Sequence, residues 1–198
     1  MGTITLDIST LLPLPGKKGV LAGIRRMLSV ALAGGEATAL REEKFAAILK
    51  HHGNIISSVC FAYSNDAEEL KDLRQDILLN IWKGLPRYRG DAQLTTWLYR
   101  VALNTCVCTI RKRGRRLPTV GLEGVDLTDD ENGNDRAERI ASLHHIISTL
   151  PPLDKAVITM WLDERKYEEI AEVTGLSRGN VAVRLSRIKE KIRDFMIG

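Results

Sequence analysis

The amino-acid sequence predicts an all-α protein. It reads as two small helical domains joined by a flexible acidic linker. Two long stretches repeat apolar residues at helical spacing. A glycine-containing acidic stretch without periodicity separates them. Near the C-terminus a helix-turn-helix pattern runs from Tyr167 to Ile192. Alternating β-branched runs are scarce, and aromatic residues make up only 5%, which argues against a sheet protein. At 198 residues with 44% hydrophobic residues, the chain suffices for one large or two small cores.

Residues 1–41 are assigned to an N-terminal extension. Leu11 to Gly16 is a Pro-rich turn, and Val20 to Leu32 has the pattern of a short amphipathic helix bearing Arg25 and Arg26. A cationic, apolar segment there raises a targeting peptide or a membrane-surface helix as alternatives. The arginine pair interrupts the apolar stretch and a clear cleavage site is missing, which favours a flexible extension.

Residues 42–114 form the first expected domain, of three packed helices. Phe45, Ile48, Leu49, His52, Ile55, Ile56, Val59 and Cys60 make one stripe, which Ser64-Asn65-Asp66 breaks. Leu70, Leu73, Ile77, Leu78, Ile81, Trp82 and Leu85 make the second. Pro86 to Asp91 reads as a loop. A third helix follows, with Leu94, Leu98, Val101, Thr105 and Cys108 expected on its inner face. Residues 115–136 are the expected linker, short of apolar area to offset chain entropy. Residues 137–198 form the second domain. There Ile140, Leu143, Ile146, Ile147 and Leu150 repeat helically, and Pro151-Pro152 opens the next helix. Gly175 supplies the turn of the helix-turn-helix, and Ser177 is its N-cap. Val181, Leu185, Ile188 and Ile192 mark the buried side of the last helix.

Charge is more informative by position than in total. The net charge of +4 is a mild basic bias that suits a nucleic-acid partner. Residues 111–116 hold five cations in six positions, whereas 117–135 hold six acids and no base. The three cysteines (Cys60, Cys106 and Cys108) are odd in number and lack a secretion signal, which points to a reducing cytoplasm. Cys106 and Cys108 read as core filler. His51-His52 and His144-His145 are adjacent pairs, without the spacing of converging metal ligands. No nucleophile–base pair or phosphate-cradling glycine loop is visible. The expectation is therefore no enzyme, no cofactor, no metal and no small-molecule substrate. No apolar stretch reaches the roughly 20 residues that cross a bilayer.

Two helices carry candidate DNA chemistry. The second helix of a helix-turn-helix enters the major groove. Stepping about 100° per residue puts Gly179, Val183, Ser186, Arg187 and Glu190 opposite the buried stripe, with Asn180 and Arg184 toward an edge. On the third helix, Thr96, Arg100, Asn104 and Arg111 share an outer face bordered by Trp97, after a loop with Tyr88 between Arg87 and Arg89. Rings that stack on bases beside cations that track phosphates are what single-stranded DNA binding uses. A plain three-helix bundle with Trp97 in its core accounts for these residues equally well.

Read together, the two domains resemble a known family. Asp72-Leu73-Arg74-Gln75-Asp76-Ile77-Leu78-Leu79-Asn80-Ile81-Trp82 is similar to the polymerase-binding helix of bacterial sigma factors. Tyr88-Arg89-Gly90-Asp91, Thr96 to Ala102 and Asn104 resemble the promoter-melting segment of that family. Leu150-Pro151, Tyr167 to Ala171 and Val181 to Lys191 resemble its second conserved domain. The closest class is the extracytoplasmic-function (ECF) sigma factors of the sigma-70 family, over about residues 42–198.

The resemblance implies region 2 at 42–114 and region 4 at 137–198. It implies docking of Asp72, Leu73, Gln75, Asp76 and Leu79 on the β′ clamp helices of core RNA polymerase. Tyr88, Arg89, Thr96, Trp97, Arg100, Asn104, Arg111 and Arg113 would recognise and melt the −10 element. Ser177, Arg178, Asn180, Val183, Arg184, Ser186 and Arg187 would bind the −35 duplex, while region 4 also meets the β flap. The implied function is that of a dissociable, cytoplasmic initiation subunit with promoter DNA, core polymerase and an anti-sigma factor as partners. Many members carry Arg-Ser where this chain has Ala182-Val183, so their −35 sequence does not transfer. The rival reading is a helix-turn-helix regulator that acts without replacing the sigma subunit. It calls for a sensor or dimerisation domain, and 42–114 shows neither a ligand-pocket nor a heptad pattern.

Overall fold

The computed structural model describes residues 36–113 and 133–197, which form seven α-helices and one 3-10 turn, with no strand among them. Helix α1 is Glu36–Tyr63, α2 is Ala67–Gly84 and α3 is Leu94–Arg113, with the 3-10 turn at Leu85–Arg87. Helix α4 is Gly133–Thr149, α5 is Pro152–Leu162, α6 is Tyr167–Thr174 and α7 is Arg178–Ile197.

The expected stripes become the core of the first unit. Phe45, Ile55, Ile56 and Val59 of α1, Leu73, Ile77 and Ile81 of α2, and Leu98, Tyr99 and Cys106 of α3 are buried together. Phe45 meets Trp82 edge-on at 5.3 Å, and the Arg41 guanidinium lies over the other ring system of that contact, 4.1 Å from the Trp82 centroid. Arg41 also donates to the Trp82 carbonyl near the end of α2. Helix α1 therefore starts before the expected boundary at 42. Glu36, Ala37 and Leu40 are good helix formers, and Arg41 ties that turn to α2. The helix is kinked at His52, where φ is −129° and ψ is 15°.

The break at Ser64-Asn65-Asp66 is a capped turn. Asp66 accepts the Glu69 N–H at 2.7 Å, while the Glu69 carboxylate accepts from the Asn65 backbone at 2.7 Å and its amide at 2.8 Å. Part of the loop expected at Pro86–Asp91 is the 3-10 turn, because Pro86 suits the first turn of a helix.

In the second unit α4 begins at Gly133, so 133–136 of the expected linker is helical. Residues 115–132 of that linker, and the candidate helix Val20–Leu32, lie outside the described residues. Pro152 opens α5, which ends in a tight turn: Glu164 donates to Trp161 and Arg165 to Met160, with Glu164 at φ 59°. That paired pattern is a Schellman stop with glutamate in the position usually taken by glycine. Gly175 closes α6 at φ 75°, where its N–H reaches the Ala171 carbonyl at 2.9 Å. Ser177 then caps α7 by accepting the Asn180 N–H at 3.2 Å.

The two units pack against each other. Helix α5 lies on α1, α6 on α3, and the buried residues of both units form one continuous core.

Candidate nucleic-acid interface

Three surfaces hold the residues selected from the sequence. On α2, Asp72, Gln75 and Asp76 are exposed and share a polar side, with Leu79 half-buried at its border. Leu73 belongs to the core instead, at 1% exposure, because its position in the apolar stripe turns it toward α1 and α3.

On α3 the outer face is narrower than expected. Asn104 and Arg111 are exposed, and Arg89 is exposed in the preceding loop. Thr96 is buried at 2% exposure, and Arg100 is occupied. Arg100 faces α6, which packs on α3. Arg100 donates to the Glu172 main-chain carbonyl at 2.8 Å and lies 3.4 Å from its carboxylate. The expected inner face is also shifted. Cys108 is exposed while Cys106, Ala102 and Tyr99 are buried, so Cys108 is not core filler. Arg113 ends α3, and its side chain lies outside the described residues.

The aromatic pair of the loop is assembled. Tyr88 lies 5.1 Å from Trp97 with rings tilted by 37°, and its hydroxyl donates to the Ala92 carbonyl at 2.8 Å. Gly90, at φ 82°, lets the loop turn back to make that bond. Trp97 rests on Gly84, where a Cβ would sit 3.0 Å from the ring. Both rings are partly covered, which fits both readings of Trp97.

On α7 the expected face is presented in full. Gly179, Asn180, Val183, Ser186, Arg187 and Glu190 are exposed, opposite buried Val181, Leu185 and Ile188. Val183 is 51% exposed, although it is a large apolar residue on a helix surface. Arg178 is exposed and pairs with Glu168 at 2.6 Å. Arg184 sits at the edge and is half-buried, with its guanidinium on Asp154. Lys189 lies over the Trp161 ring at 3.8 Å, which adds positive charge beside the face.

A fourth polar cluster had no sequence signal. The Asp163 carboxylate accepts from the hydroxyls of Ser58 and Tyr99, each at 2.6 Å. Tyr63 donates to the Pro152 carbonyl, and His144 meets the Ser64 carbonyl at 3.0 Å. Lys155 is buried with its ammonium 5.5 Å from the Tyr63 ring, and burial lowers its pKa. Burial pushes the Cys60 thiol up to about 12 and raises Tyr99, whose hydroxyl is further held by Asp163. All of these contacts join residues more than 60 positions apart, which no local pattern reports.

The geometry agrees with two comparisons of sequence and one of structure. The Sigma-70 region 2 model matches residues 48–116, and the Sigma-70, region 4 model matches 140–192. The RNA polymerase sigma-H factor of Pseudomonas aeruginosa is 30% identical over 158 residues, covering 73% of this chain and 81% of that protein. The ECF RNA polymerase sigma-E factor of Haemophilus influenzae is 27% identical over 168 residues, covering 77% and 87%. Among solved structures, CnrH in complex with the cytosolic domain of CnrY aligns with a TM-score of 0.58 at 19% identity, over 91% of this chain and 97% of that one. The sigma factor RpoE bound to the anti-sigma factor NepR from Bartonella quintana aligns with a TM-score of 0.58 at 18% identity, over 78% and 95%.

Proposed function

The chain belongs to the extracytoplasmic-function class of the sigma-70 family, as a transcription-initiation sigma subunit, and from that premise we propose how its surfaces divide the work. The carrying observation is that both family regions occur on one chain in family order, each bringing one candidate DNA helix.

In this reading α2 docks on the β′ clamp helices through Asp72, Gln75 and Asp76, whose exposed polar side is free of the core. Asn104, Arg100 and Arg111 of α3, with Tyr88, Trp97 and Arg89 of the preceding segment, hold the −10 element as a single strand. An amide reads a base edge, a ring stacks, and cations follow phosphates. Helix α7 enters the major groove of the −35 element. Arg187 offers two parallel donors to a guanine, and exposed Val183 suits a thymine methyl. Arg178 and Arg184 lie nearer the edges and hold phosphates, while Ser177 and Asn180 bring polar groups to the helix N-terminus.

The chain supplies binding energy rather than catalysis, and acts in the cytoplasm, where its polymerase and promoter are. No helix among the described residues is long and apolar enough to cross a membrane. An anti-sigma factor is a fitting partner, since a solved sigma factor of the same fold, RpoE of Bartonella quintana, is held in such a complex.

Run-off transcription with core polymerase on a promoter library tests the reading. The expected result is a promoter-dependent product that requires this chain. No product from any template, with the chain shown bound to core, would overturn it.

A further inference from the structure

Helices α2 and α3 pack side by side on an apolar seam. Leu73, Ile77 and Ile81 of α2 are buried with Leu98, Ala102 and Cys106 of α3. Apolar burial is non-directional, so it sets the spacing of two helices more firmly than their rotation. A rotation of about 10° moves a side chain by about 1 Å at the rim of a helix about 10–12 Å across. A binding group works only when it is held within about 0.5 Å and 10–20°. Asn104 stands exposed on the rim of α3, so its use depends on what fixes that rotation.

A directional contact crosses the seam at the next residue. The Asn80 amide of α2 donates to the Thr105 hydroxyl oxygen of α3 at 2.9 Å. The Thr105 hydroxyl in turn donates to the Val101 carbonyl at 2.7 Å. A hydroxyl has one proton, so with that proton on Val101 its oxygen accepts, and Asn80 is fixed as the donor. Thr105 is buried at 8% exposure, whereas Asn80 is exposed. Thr109 repeats the pattern, its hydroxyl donating to the Thr105 carbonyl at 3.0 Å. Threonines that bond back to the fourth residue before them bend a helix. Both bonds fall on the stretch of α3 that bears Asn104. Asn80 also continues the row of Asp72 and Asp76 at four-residue spacing, which puts it on the polar side of α2.

We propose that Asn80 is a positioning residue for strand opening: through Thr105 it fixes the rotation of α3 and so aims Asn104 at its base. It touches no DNA itself. It stands on the helix that docks on polymerase and acts on the helix that holds the −10 strand. The inference rests on the promoter reading given above.

The test uses holoenzyme formed from the full chain and core polymerase, on a promoter that the unsubstituted holoenzyme selects from a random duplex library. Opening is read as permanganate reactivity at the −10 element, and core affinity by pull-down. Asn80→Ala should lower opening by about fivefold, the size expected of one neutral hydrogen bond, with core affinity kept within about twofold. Thr105→Val keeps the shape, removes the acceptor and should match it. Thr105→Ser keeps the hydroxyl and should behave as the unsubstituted chain. The deciding variant is Asn80→Ala/Asn104→Ala. Acting through Asn104, Asn80→Ala should add no loss to that of Asn104→Ala alone. A further fivefold loss in the double variant would overturn the proposal, since a merely structural effect multiplies. Unchanged opening in both single variants, or a loss of core affinity equal to the loss of opening, would overturn it too. Failure of the promoter reading shows separately, in the unsubstituted holoenzyme. A library without any promoter-dependent product would remove that reading and the positioning role with it.

Discussion

Helices α3 and α7 are each 20 residues long and each carries a candidate DNA face, yet they present it differently. On α7 a single apolar stripe points inward and the opposite face is open: Val181 and Leu185 are 0% and 1% exposed, Val183 is 51% exposed. On α3 the buried arc is wide, taking in Thr96, Leu98, Tyr99, Ala102, Leu103, Thr105 and Cys106. A helix packed on one side has a phase that its sequence announces. A helix packed on two sides does not, because the second contact covers residues that look like surface. The polar character of Arg100 is real, but it serves a protein contact in this arrangement.

The largest expected effect separates core from face on α7. Leu185→Ala should destabilise the fold by about 2–5 kcal/mol, since it empties a buried site. Val183→Ala should change stability by about 0.5 kcal/mol or less, as an exposed substitution. Thermal unfolding monitored by circular dichroism measures both. Equal losses would mean that Val183 is covered in solution and that the contrast between the helices is false.

On α3, Asn104→Ala tests the candidate left uncovered beside Arg111 among the described side chains. Extruding a base costs a few kcal/mol, which a receiving surface must offset. Permanganate reactivity at the −10 element should therefore fall at least about tenfold on duplex promoter, with activity retained on a pre-melted template. Equal activity of the variant on both templates would assign Asn104 no part in opening.

The two arginines of α7 sharpen the comparison further. Arg187→Ala should cost about 1–3 kcal/mol and relax preference at one base pair. Arg184→Ala should weaken all sequences alike and flatten the salt dependence. Its effect on DNA should be the smaller, because Arg184 is already shared with Asp154. Selection from a randomised −35 library decides it. A base preference that follows Arg184 would shift the reading face by about a quarter turn.

The smallest effect is on pH. Burial lowers the His144 pKa, opposed by the Ser64 and Phe61 carbonyls and assisted by Lys155 and His145. The folded pKa lies below the ordinary value of about 6.5, so the folded state favours the neutral ring. His144 therefore contributes fully above that value and progressively less as pH falls below it. Unfolding of the full chain should show a small loss of stability below about pH 6.5 that His144→Gln removes.

Most of the fold was legible because its main features are local. The stripes of α1 and α2, the break at Ser64 to Asp66, Pro152, Gly175 and the Ser177 cap all act within a few residues of themselves. The buried side of α7 was legible for the same reason. Helix ends were less so: α1 and α4 extend beyond their apolar stripes, and periodicity marks only where packing begins. Leu73 lies inside the docking motif, yet its spacing in the apolar stripe places it in the core. Cys108 is exposed where the periodicity predicts an inner position, because α3 has no single inner face. The Asp163 cluster was illegible, because its partners meet only once both units have folded and docked.

Gly84 has a mechanical consequence. It is the last residue of α2, and the Trp97 ring lies against it where a methyl group would sit 3.0 Å away. Trp97 in turn carries Tyr88. The end of a core-packed helix and the tip of a surface loop are thus geared together through two rings. Alanine at 84 would act as a wedge, pushing the indole outward and swinging Tyr88 with it. A change of one carbon in the scaffold would be felt at the loop as a displacement, without any residue of the loop being altered.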